Sequence, residues 1–354
     1  MWSSTKRPWP LAALIFTLFC LAMIWMGSYR PSFPHPPSVE PSSTVEWSST
    51  VEWTNAVESS IVGSSSATPS VVPSNLEQHV VELSDNKTSN STLGFEKIFF
   101  ISLPHLLQEK VKPEGSGNLR PEQLGCWRAH ANVWKRMLDE NIESAMVIED
   151  DVDWDINVRD IFADMSHQLA QQTLFPNLVP QPDAPYGRDW DLLYVGSAWD
   201  IPNNDNRPPH LLYHDPNAPT RENTGGSYIG ELEGWGAKVT ENTRHRLIAP
   251  SWYPVSTIGY AVTKKGAQKL LYNLGGYKGL SAPVDLAMIG LLQKGVVDSY
   301  TIIPPIITRY RTGGSRDSDI DEVKPEDAEA KTGSENLNMG ARKAMEKLQE
   351  KSPH

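Results

Sequence analysis

Residues 31 to 92 offer nothing from which a core could be built: 22 of these 62 positions are Ser or Thr, Lys87 is the single cation, and seven residues are acidic. A stretch of that composition cannot bury enough apolar surface to offset the entropy of ordering it, so any fold must come from residues C-terminal to it. Within it Ser42-Ser43-Thr44-Val45-Glu46-Trp47 recurs at once as Ser48-Ser49-Thr50-Val51-Glu52-Trp53, a duplication far too short for a solenoid period. Asn86-Lys87-Thr88 and Asn90-Ser91-Thr92 are N-glycosylation sequons. Residues 28–94 are therefore expected to form a disordered, solvated stalk.

Ahead of the stalk, Trp9 to Gly27 carries no charge, and Leu11 to Met26 is apolar apart from Thr17. At 1.5 Å per residue, a run of roughly 19 residues can just cross a hydrocarbon layer of about 30 Å. Lys6 and Arg7 precede the run and only Arg30 follows closely, so the positive-inside rule keeps residues 1–8 cytoplasmic and translocates the rest. The run is longer than a usual signal-peptide core and no small-x-small cleavage site follows it, which favours a type II signal-anchor over 9–27. The only cysteines are Cys20, inside that run, and Cys126; this excludes a disulfide framework and a zinc–cysteine site. A formal charge of 32 − 43 = −11 without a Lys/Arg block argues against nucleic-acid binding.

The foldable part is 95–320. A strand-like run, Lys97 to Leu103, ends at Pro104; Leu124, Trp127, Ala131, Trp134 and Leu138 then recur at helical spacing, predicting a helix over Pro121 to Asn141. Apolar runs at Ala145–Ile148, Leu192–Val195, Gly259–Val262 and Tyr300–Ile303 read as strands, and Lys264–Asn273 and a segment from Pro283 read as helices. This alternation predicts an α/β fold with a mainly parallel sheet. Gly225-Gly226-Ser227-Tyr228-Ile229-Gly230 lacks the strand-then-helix frame of a dinucleotide fingerprint and reads as a loop. Residues 321–354 read as a charged, mostly disordered tail with a short helix over Met339 to Leu348.

Glu149-Asp150-Asp151-Val152-Asp153-Trp154-Asp155 places five carboxylates in seven residues directly after a buried strand. Strand carboxyl ends face the crevice where open α/β sheets bind ligands, and a hard divalent cation would relieve repulsion among such acids. The alternative is an acidic loop whose aspartates cap a helix. An EF-hand starting at Asp151 fails, because its sixth position is Ile156 and its twelfth is Phe162. His130 lies near the apolar stripe of its helix, where a satisfied core histidine and a ligand are both open. Asp285, in the first turn of a helix, reads as a dipole-stabilised carboxylate or as a second acid facing the crevice.

Three blocks, Gly125-Cys126-Trp127-Arg128-Ala129-His130, Ile148-Glu149-Asp150-Asp151-Val152-Asp153-Trp154-Asp155 and Trp190-Asp191-Leu192-Leu193-Tyr194-Val195-Gly196, together resemble the family 25 glycosyltransferases. Gly259 to Leu271, Asp285 and Ser318-Asp319-Ile320 continue in the family's order. The resemblance implies a GT-A-like nucleotide-sugar domain that transfers a hexose, commonly galactose from a UDP-sugar donor, with inversion, to a glycan or glycoprotein acceptor. It implies that Glu149, Asp150, Asp151 and His130 bind the donor, that Asp151 and Asp153 hold Mn²⁺, and that Asp285 serves as base or acceptor contact. With the anchor, it implies a Golgi-type membrane enzyme. In the family an R-x-D-R turn follows the first strand; here Ile101-Ser102-Leu103-Pro104 runs on to His105-Leu106-Leu107-Gln108 without that basic turn, and the following βα unit is missing. That departure leaves a second reading, a catalytically degenerate paralogue that binds a glycan or protein. A metal-dependent phosphodiesterase is disfavoured, since nine His show no ligand-like spacing.

Overall fold

A computed structural model describes residues 91–102, 119–203, 207–276, 280–312 and 332–351. The segments expected as cytoplasmic tail, as signal-anchor and, up to residue 90, as stalk lie outside the described residues. Among the described residues no helix is long and apolar enough to cross a membrane. Chain order runs β1 (Lys97–Ile101), α1 (Pro121–Asp139), β2 (Ser144–Glu149), β3 (Val152–Trp154), α2 (Val158–Gln171), β4 (Leu192–Gly196), β5 (Trp199–Asp200), β6 (Leu211–His214) and α3 (Gly226–Gly234). It continues through β7 (His245–Pro250), β8 (Pro254–Val255), β9 (Gly259–Thr263), α4 (Lys264–Leu274), α5 (Val284–Leu292), β10 (Ser299–Ile303), β11 (Ile307–Arg311), β12 (Gly333–Ser334) and α6 (Ala341–Lys351).

Seven strands form the central sheet in the order β1-β2-β9-β4-β10-β7-β6. Pairs β1–β2 and β4–β10 are parallel, whereas β9 runs against both its neighbours and β7 against both of its own. Five of the seven strands thus share one direction, which makes the sheet mixed but mostly parallel. The apolar runs are continuous because both faces are covered. Met146 and Ile148 of β2, with Leu193 and Val195 of β4, pack on the α2 side against Ile161, Phe162 and Met165. The alternate residues, Ala145, Val147, Leu192 and Tyr194, pack against α1, α4 and α5 through Trp134, Leu270 and Met288. β1 is an edge strand, and its Phe100 is 59% exposed.

Pro121 opens α1 at N1, and the Gln123 side chain accepts the Arg120 N–H at 3.0 Å. Its buried stripe, Trp127, His130, Trp134 and Met137, has the spacing of one helical face. The Gly225–Gly230 segment, expected as a loop, is instead the start of α3. Tyr228 and Leu232, one turn apart, bury against Trp235, Leu247 and Ile303, and that packing outweighs the low helix propensity of its glycines. In the C-terminal segment the helix expected over Met339 to Leu348 is α6, and among the described residues 332–351 it is held to the fold: β12 pairs with β11, and α6 follows beside β3.

Candidate functional site

The acidic run divides at the turn between β2 and β3. Glu149 ends β2 and accepts the Thr257 hydroxyl at 2.7 Å; burial pushes its carboxyl up to about 7, with the Thr257 hydrogen bond opposing and the charge of Asp151 reinforcing the rise. Asp150 is exposed and accepts the Ser102 hydroxyl at 2.7 Å. Half-buried Asp151 has Arg309 Nε of β11 at 3.4 Å. These oxygen donors, adjacent at the end of a central strand, suit a hard divalent cation.

Asp153 and Asp155 serve a different purpose. Asp153 is 2% exposed and accepts the Ser334 hydroxyl at 2.7 Å and the amides of Trp154 and Arg342 at 2.9 and 3.1 Å. Asp155, 1% exposed, accepts the amides of Asn157 and Met339 at 2.9 and 2.7 Å. Both carboxylates clasp the C-terminal segment, so Asp153 is not presented beside Asp151 as the resemblance implied. Gly340 belongs to the same clasp, because a Cβ there would collide with Asp153 Oδ2. Arg342 completes it: Nε and Nη2 donate to the carbonyls of Val152 and Asp150 at 2.8 and 3.0 Å, bracketing Asp151, while the guanidinium lies over the Tyr310 ring.

Asp285 reaches the acidic turn through a short loop. Ser256, between β8 and β9, has φ 74°, a left-handed conformation uncommon for a residue with a Cβ. Its amide donates to Asp285 Oδ2 at 3.1 Å, and the next residue is Thr257, which holds Glu149. Two consecutive residues thereby tie the helix-borne carboxylate to the strand-borne one. Asp285 is near enough to raise the proton affinity of Glu149 and of Cys126. Trp199, 42% exposed on β5, pairs with Val255 immediately before that loop.

His130 is fully buried behind Glu149. Its Nδ1 lies 2.9 Å from Tyr260 Oη, which also accepts Trp134 Nε1–H at 3.0 Å, and burial lowers the imidazole to about 3. Among the described residues, one group of His, Cys, Asp or Glu could hold a metal ion: Cys126, His130 and Glu149, whose ligand atoms lie within 4.8 Å of one another. Sequence reading singled out His130 and Glu149 but passed over Cys126. It also missed Ser256, Thr257, Arg309 and Arg342. For Cys126 a signal existed, since Cys126 and His130 stand four apart and share a helix face; for the others no local signal did.

A profile described as "Glycosyltransferase family 25 (LPS biosynthesis protein)" matches residues 79–179, which contain α1 and the whole acidic run. Human procollagen galactosyltransferase 2 is 27% identical over 196 residues, 55% of this chain and 23% of that protein. Zebrafish (Danio rerio) procollagen galactosyltransferase 1 is 23% identical over 150 residues, 42% of this chain and 17% of that protein. Over residues 79–179 the chain is therefore similar to glycosyltransferase family 25. The match to these two relatives spans less than a quarter of their length. The matched residues include the clasped Asp153 and Asp155 as well as Asp150 and Asp151.

Proposed function

We propose that the chain is an inverting glycosyltransferase that moves a hexose, galactose from UDP-galactose in the first instance, to a glycan or glycoprotein hydroxyl. The observation that carries this reading is the convergence of the Glu149-Asp150-Asp151 turn with Asp285 through Ser256 and Thr257. Asp150 and Asp151 would hold a divalent cation, Mn²⁺ by the family resemblance, which when bound neutralises charge on the departing diphosphate. Asp285 takes the proton of the acceptor hydroxyl as the acceptor oxygen bonds to the anomeric carbon and the bond from that carbon to the UDP oxygen breaks. The Ser256 amide fixes one oxygen of Asp285 and so orients the other. Glu149, held by Thr257, sets the position of the strand end that carries Asp150 and Asp151.

In this reading residues 9–27 anchor a single-pass type II protein of the secretory pathway, Golgi in type, with the folded region lumenal. The relatives' names make a collagen-type glycoprotein the first acceptor to try. UDP release by the full chain from UDP-galactose with Mn²⁺ should be abolished by Asp285→Asn, while calorimetric UDP binding persists. A parent chain that binds no UDP-sugar, with or without Mn²⁺, overturns the donor assignment. A parent that binds the donor but transfers nothing to any hydroxyl acceptor, water included, indicates the degenerate paralogue.

A further inference from the structure

We infer that Cys126, His130 and Glu149 form a second metal site that takes Zn²⁺, separate from Asp150 and Asp151. The three ligand atoms lie within 4.8 Å of one another, a spread that one tetrahedral ion can span. Cys126 and His130 stand one helical turn apart on the inner face of α1, and Glu149 meets them from the end of β2. His130 Nε2 is buried without a hydrogen-bond partner, in a ring that is 0% exposed. Buried nitrogens are rarely left so, and a bare lone pair beside a thiol and a carboxylate is a ligand set.

The surroundings hold His130 and Glu149 by their other atoms. Tyr260 Oη lies against Nδ1 at 2.9 Å, where it accepts the ring proton once Nε2 binds an ion. The Thr257 hydroxyl holds Glu149 Oε1 and leaves Oε2 for the metal. Charge favours the same occupant. A thiolate and a carboxylate balance one divalent ion, so the loaded site is neutral, as an interior requires. Sulfur, imidazole and one carboxylate select zinc; a hard ion such as Mn²⁺ would prefer the oxygens of Asp150 and Asp151. Three protein ligands leave a fourth position for water. The cysteine count overlooked this site because a single thiol suffices when His and Glu supply the remaining ligands. The ion would pin α1 to the strand end beneath the acidic turn.

The test uses tag-free full-length chain, analysed for metal as purified, stripped with chelator and then loaded with Co²⁺. About one zinc per chain is expected, and Co²⁺ loading should give a near-ultraviolet thiolate charge-transfer band together with visible bands of tetrahedral cobalt. Cys126→Ser should lose the charge-transfer band, and Asp151→Asn should keep it. No Co²⁺ uptake by the parent, uptake without a thiolate band, or a band that survives in Cys126→Ser overturns the assignment. None of these readouts depends on sugar transfer, so the site can fail while the transferase reading stands, and the reverse.

Discussion

The two halves of the acidic run each carry two aspartates, with opposite fates. Asp150, before β3, is exposed and meets the Ser102 hydroxyl, and Asp151 is half-buried against Arg309. Asp153 and Asp155, two and four residues further on, are buried and filled with donors from Ser334, Met339 and Arg342. What separates them is depth: the front pair lies at or near the surface, the back pair among donors of the C-terminal segment. A carboxylate buried among N–H and O–H donors is structural, and one at the surface can exchange its partner for a ligand.

The contrast breaks most visibly at Asp153. Asp153→Ala strands three donors, two of them in the C-terminal segment, and should lower unfolding free energy by roughly 3 kcal/mol. Asp155→Ala should cost about 2 kcal/mol. Urea midpoints of the two variants and the parent measure both effects. Equal midpoints would return these aspartates to the ligand-binding set.

Asp151→Asn should behave in the opposite way. Stability should stay within about 0.5 kcal/mol of the parent, since the site is half open, while UDP-sugar affinity in Mn²⁺ falls about ten- to a hundredfold through loss of a charged contact. Calorimetry with and without Mn²⁺ checks this. A variant that loses stability but keeps donor affinity would erase the distinction between the halves.

Glu149 lies at the boundary, and pH sharpens its role. Its carboxyl is pushed up to about 7, so the folded state binds the proton more tightly than the unfolded state. The stability it contributes is full below about 4.5, the ordinary value, and is lost as pH rises through about 7. In metal-stripped protein the parent should lose up to about 1.4 kcal/mol per pH unit across that window, and Glu149→Gln should flatten that slope. Denaturation series at several pH values read it directly.

The smallest effect belongs to Ser102→Ala, which removes an exposed hydrogen bond to Asp150. Stability should change by less than about 0.5 kcal/mol. A larger loss would mean that the front half is braced like the back.

Legibility followed the range of the interaction. The stripe of α1 and the runs of β2, β4, β9 and β10 were readable because a buried face writes its period into neighbouring residues. Strand direction was not: Gly259–Thr263 reads alike in either sense, and only its pairing with β2 and β4 reverses it. α3 was missed because three glycines argue locally against a helix that Leu247 and Ile303 secure from other strands. In the site, the composition of Glu149–Asp155 was plain, and the order of residues alone put carboxylates at the end of a buried strand. Which of them stay open was decided by tertiary structure. Arg342 reaches back 192 residues to Asp150, and Ser256 and Thr257 reach Asp285 and Glu149 from a separate loop. Hydrogen bonds made at such separations leave no periodic trace in the chain, because their partners are set by packing and not by spacing.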